Sequence, residues 1–152
     1  LLTLLLTPLR RLTGWNDAIR VRRLFGLFAF FYGTLHLLTY LWLDQFFDWA
    51  AIAKDVYKRP FITAGATAFL LMVPLALTST AGMIRRLGGR RWRRVHRLVY
   101  LAAAAGVVHY WWLVKADVRR PRTYAILLAV LLLARLWIVW TSRRAVSAQN
   151  RF

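Results

Sequence analysis

The chain has 152 residues, 60% hydrophobic and 15% aromatic, with 23 Lys plus Arg against five acids and a formal charge of +18. A soluble domain holds about 45–50% apolar residues, so this composition belongs in a membrane. The bases lie between long apolar runs, which argues against a nucleic-acid surface, and the absence of cysteine excludes iron–sulfur clusters, thiolate ligation and disulfides.

Residues 1–7 are apolar, too short to span a bilayer, and lack the basic start of a signal peptide. They read as the end of a helix whose beginning is missing, with Pro8, Arg10 and Arg11 marking its exit. A basic linker over 8–23 also carries Arg20, Arg22 and Arg23. The first full span is expected over about 24–43, ending in the boundary aromatics Tyr40 and Trp42. Residues 44–60 form a mixed-charge loop with an interfacial helical turn around Phe46 to Val56.

A second span over about 60–80 opens on Pro60, whose missing N–H costs nothing at the first helical position, and should kink at Pro74. Residues 81–95 are the most basic linker, six arginines around Gly88-Gly89. Spans over about 96–114 and 123–141 follow, separated by a loop with Pro121, and then a polar tail. The expected fold is all-α: a polytopic membrane helix bundle with four full spans, forming one domain over 1–152. Linkers 8–23 and 81–97 plus the tail hold fifteen bases, against seven in loops 44–60 and 114–122, so the first set is expected in the cytoplasm.

Histidine inside a membrane-spanning length is costly and marks a functional site. His36 lies roughly 18 Å along its span from the cytoplasmic end, and His109 roughly 20 Å along another from the same side. Two imidazoles at matched depth on different helices are what bis-histidine ligation of a haem iron requires. Gly26, Ala29 and Gly33 share a stripe with His36, as Ala102, Ala105 or Gly106 do with His109, leaving room for a flat ring. For the stripes alone, close helix packing is the simpler reading.

His96 sits at the membrane edge, and thirteen residues rotate an ideal helix by roughly 220°, so it does not share a face with His109. Spacing leaves its role open. Arg135, deep in the last span, either snorkels to the cytoplasmic surface or meets an anionic group such as a haem propionate. Snorkelling is the simpler of the two. Arg22, Arg23, Arg94 and Arg97 are further propionate candidates.

Several runs carry a family likeness. Arg22-Arg23-Leu24-Phe25-Gly26-Leu27 through Leu35-His36, Arg59-Pro60-Phe61-Ile62-Thr63, the run 74–80, His96-Arg97-Leu98-Val99-Tyr100 and the run 109–119 closely resemble the MsrQ (YedZ) family, within the ferric-reductase-like transmembrane superfamily. The resemblance covers almost the whole chain. It implies a six-helix bacterial inner-membrane protein of which the first helix and most of the second are missing here. It further implies b haem, FMN, and a periplasmic molybdenum subunit that reduces methionine sulfoxide in proteins. Electrons would come from the quinone pool or a cytosolic flavin reductase. His36, His96 and His109 match the family's haem-linked histidines. Two-haem members of the superfamily carry another histidine thirteen or fourteen residues before the first, where this chain has Arg23 and Arg22.

The resulting expectation is a haem b electron-transfer subunit, with one haem or two, which does not itself hold the methionine-sulfoxide site. A redox-inert membrane anchor and a transmembrane ferric reductase are the competing readings. A colourless purified protein would favour the first of these, and direct reduction of a ferric chelate the second.

Overall fold

The computed structural model describes residues 1–15 and 17–149, helical through most of their length and without a strand among them. The end of the polar tail, including Arg151, lies outside the described residues. The helices are α1 (Leu2–Thr13), α2 (Ala18–Thr39, prolonged by a π-helical turn Tyr40–Asp44), α3 (Trp49–Lys58), α4 (Pro60–Leu77), α5 (Ala81–Val95), α6 (Leu98–Leu113) and α7 (Arg119–Gln149). Among the described residues three segments are long and apolar enough to cross a membrane: Arg20–Asp44, Pro60–Leu77 and Arg119–Ser142. The apolar α6 has 16 residues, about 24 Å of helix, against a hydrocarbon core of about 30 Å.

Two segments differ from the sequence expectation. His96 and Arg97 form a turn, with the His96 N–H capping α5 through Trp92 O, so α6 begins two residues later than expected. The run 81–95 is a helix in place of a linker. Thr80 caps it by accepting from the Met83 N–H at 3.2 Å, and Met83, Ile84, Leu87, Trp92 and Val95 face inward while its arginines stay exposed. This is the pattern of a basic helix lying along a membrane surface. Gly88, at φ +69°, supplies its kink with a conformation that costs a side-chain-bearing residue.

At the opposite end, Asp48 caps α3 by accepting from the Ala50 and Ala51 N–H groups, each at 3.0 Å. Asp55 accepts from Tyr40 Oη at 3.3 Å and Gln45 Nε2 at 3.1 Å, and pairs with Arg59 Nε at 3.3 Å. One carboxylate thereby joins the end of α2 to the start of α4.

α4 and α6 pack most extensively, with the small residues Ala68 and Ala102 buried and backbones able to approach closely. Phe30 stacks on Phe69 with centroids 5.5 Å apart and ties α2 to α4. Leu4, Leu128 and Leu131 form a core that joins α1 and α7 against Val99, Ala103 and Val107 of α6. Large apolar side chains remain exposed on α2 (Leu27, Phe28, Phe31, Leu35) and α7 (Ile126, Leu133, Leu136, Trp137). In water such patches would drive association; against lipid tails they are the expected surface.

Pro8 does not end α1, which continues to Thr13. Lacking an N–H, it leaves the Leu4 carbonyl four residues earlier without its helical donor. Arg135 of α7 supplies one: its Nε and Nη2 lie 3.4 and 3.2 Å from Leu4 O. Nη2 also donates to Thr7 Oγ1 at 2.6 Å and Nη1 to Tyr100 Oη at 2.5 Å. Arg135 is only 9% exposed, and its guanidinium is spent on α1 and α6 in place of snorkelling to the surface.

Candidate functional site

The structure brings His36 and His109 together, with ring centroids 6.2 Å apart and planes 67° apart. His36 comes from the last turns of α2 and His109 from the last turns of α6. A metal held between two imidazoles sets their nitrogens about 4 Å apart and their ring centres about 6 Å apart, given bonds of about 2.0 Å. The observed separation fits that arrangement. Among the described residues, no three His, Cys, Asp or Glu side chains cluster to hold a bare ion. Two imidazoles with four equatorial macrocycle nitrogens complete six-coordination, so the donor set fits haem.

The His109 tautomer follows from its partner. Nδ1 lies 2.6 Å from the carbonyl oxygen of Phe61, which can only accept, so Nδ1 carries the proton and Nε2 the lone pair. Metal-ligating histidines are oriented in this way by backbone carbonyls. The ring also lies directly over Gly65 of α4, where a Cβ would come within 2.7 Å of Nδ1. Gly65 drew no notice in the sequence, because its neighbour is forty-four residues away in the chain.

His96 is held elsewhere. It lines a cavity of about 670 Å³ among α1, α2, α4, α5 and α6, within the range of cofactor sites. Thr78 Oγ1 donates to Pro74 O at 2.6 Å, so its oxygen accepts from His96 Nε2 at 3.1 Å. Trp92 stacks on the His96 ring at 3.9 Å and donates from Nε1 to Thr78 O at 2.9 Å. Burial, and then the charge of Arg22, holds the His96 pKa below its ordinary value, which keeps the ring neutral.

Of the arginines singled out in the sequence, Arg22 and Arg23 line this cavity. Arg10 and Arg20 line it as well, and were not singled out. Arg94 and Arg97 are exposed outside it, and Arg135 is engaged with α1 and α6. Thr7 Oγ1 receives both Arg135 Nη2 and, at 3.5 Å, Arg22 Nη1, so two guanidiniums meet at one hydroxyl. The small residues divide too. Gly26, Ala29 and Ala102 line the cavity; Gly33 packs toward Met72, where a Cβ would stand 3.1 Å from Cε. Ala105 and Gly106 are half-buried on α6, and a Cβ at Gly106 would meet nothing within 4 Å.

The chain therefore holds two distinct places for chemistry: a facing imidazole pair, and an arginine-lined cavity beside a third imidazole.

Comparison with known proteins gives a consistent result. A family model described as the ferric reductase like transmembrane component matches residues 1–107. A protein of Herminiimonas arsenicoxydans is 56% identical over 144 residues, covering 93% of this chain and 66% of its own length. One of Azospira oryzae is 63% identical over 132 residues, covering 86% and 57% respectively. One of Rhodospirillum rubrum is 58% identical over 150 residues, covering 99% and 72%. Each bears the name protein-methionine-sulfoxide reductase heme-binding subunit MsrQ. The chain thus spans less than two thirds of the length of the first two of these relatives. No solved structure matches it.

Proposed function

The chain belongs to the ferric-reductase-like transmembrane family and, within it, to the MsrQ heme-binding subunits, and from that premise we propose that it is the haem b electron-transfer part of a methionine-sulfoxide reductase system. The observation that carries this reading is the 6.2 Å separation of the His36 and His109 rings. Bound haem supplies a one-electron iron couple whose potential depends on axial ligands, burial and nearby charge. His109 presents Nε2 because the Phe61 carbonyl holds Nδ1–H, and His36 faces it from α2. His36 is exposed on α2 and His109 half-buried on α6, which leaves the pair open to a bound macrocycle.

The cavity at His96 is the place for a second anionic redox group, a further haem or FMN. Arg22 and Arg23 would receive its carboxylates or phosphate, and four arginines at one cavity favour the reduced, more negative state. Because linkers 8–23 and 81–97 and the tail hold fifteen bases in the sequence, the α5 side is assigned to the cytoplasm of an inner membrane. Electrons enter there, from quinone or a cytosolic flavin reductase. They leave near the His36–His109 end, toward a periplasmic molybdenum subunit that reduces methionine sulfoxide.

The absorption spectrum and haem-to-protein ratio of the full-length protein test this reading. The expected result is a reduced b-type spectrum with at least one haem per polypeptide. A colourless, well-folded protein would instead support a redox-inert anchor. Reduction of a ferric chelate without any partner enzyme would support a self-contained metal reductase.

A further inference from the structure

We propose that Gly65 and the Phe61 carbonyl form a seat in α4 that positions the His109 imidazole and fixes which of its nitrogens is free to bind metal. In a helix the carbonyl of residue 61 accepts from the N–H of residue 65, which uses one of its two lone pairs. The second lone pair is ordinarily flanked by the side chain on the following turn. Here that side chain is absent, and His109 Nδ1 reaches Phe61 O at 2.6 Å.

The fit allows nothing larger at residue 65. A Cβ there would stand 2.7 Å from Nδ1, 2.9 Å from Cε1 and 3.3 Å from Cγ of His109. These are ring atoms of a side chain held by its own hydrogen bond, between two closely packed helices, so the ring has no small adjustment available. The contrast within the chain is direct. A Cβ at Gly33 would meet only the flexible end of Met72 and the Phe69 ring edge, and one at Gly106 would meet nothing within 4 Å.

The consequence is chemical. An acceptor fixed on Nδ1–H leaves the Nε2 lone pair pointing away from α4 and strengthens it as a donor. A stronger donor favours the oxidised metal. Gly65 is thus a positioning residue that acts through His109, and the proposal rests on His109 being an axial ligand.

The test uses full-length protein bearing Gly65→Ala or, on α5, Gly82→Ala, where a Cβ would meet nothing within 4 Å, each checked for native helicity. Gly65→Ala is expected to lower haem affinity about 10–100-fold, to raise the midpoint potential of the haem that remains, and to alter the ferric EPR spectrum. Gly82→Ala is expected to change none of these. A second arm avoids placing any side chain against the seat. In His109→Gly, imidazole is expected to restore a low-spin spectrum at about tenfold or more lower concentration than 1-methylimidazole, which has no N–H for Phe61 O.

Equal rescue by the two imidazoles, or a Gly65→Ala protein with unchanged affinity, potential and EPR spectrum, would overturn the seat. If the ligand assignment itself is wrong, His109→Gly retains its haem spectrum without any added imidazole. The two failures are therefore distinguishable.

Discussion

Replacing either His36 or His109 by alanine is expected to abolish the same low-spin haem component of the full-length protein, and replacing both should remove no more than either alone. The expectation follows from the shared site. The ring centroids lie 6.2 Å apart on helices that are separate in sequence, so in the proposed site each imidazole would be one half of a single coordination axis. Losses at residues that act as a unit do not add. His96→Ala should spare this component, because its ring is bonded to Thr78 and stacked on Trp92 in a different part of the bundle. Optical spectra of the purified variants, normalised to protein, decide the matter. A His36→Ala protein that keeps the full reduced spectrum would sink the pairing.

A second large effect is expected at Arg135. Removing its guanidinium strands the Leu4 carbonyl, which Pro8 has already deprived of a helical donor, takes a partner from the Tyr100 hydroxyl, and leaves Thr7 Oγ1 only its long contact with Arg22. Hydrogen bonds to a charged group contribute about 1.5–3 kcal/mol each, and a buried polar atom left without a partner costs about 1–3 kcal/mol. Relief of the charge's own burial offsets part of this. Arg135→Leu is therefore expected to destabilise the bundle by about 2 kcal/mol. In a Pro8→Ala background the new N–H satisfies Leu4 O, and the same replacement should cost about 1 kcal/mol less. Thermal unfolding of the four proteins in one detergent measures this coupling. Strictly additive effects would separate Arg135 from Pro8.

The reading of the sequence was strongest where helix geometry alone does the work. A rise of 1.5 Å per residue is enough to set His36 and His109 at one depth, and the structure places their rings together. It was weaker where a residue's meaning lies across the bundle. Gly65 reads as one of several small residues in an apolar run, until His109 is seen to rest on it. Pro8 reads as a helix end because its cost is local. Its compensation by Arg135 comes from the far end of the chain.

His96 shows a third kind of difficulty. The rotation that separates it from His109 assumes one continuous helix, whereas the turn at 96–97 hands His96 to the cap of α5. The arginine-rich run 81–95 conceals a helix for a related reason. Its inward residues Met83, Ile84, Leu87, Trp92 and Val95 are sparse among charges, and Gly88 breaks their period.

The ferric EPR spectrum of the full-length protein tests the imidazole pair most directly. With ring planes 67° apart, a pair of axial imidazoles should give a highly anisotropic low-spin signal, present in the wild type and lost in both His36→Ala and His109→Ala. A wild-type spectrum with only high-spin iron, or a low-spin signal that survives either replacement, would contradict the account.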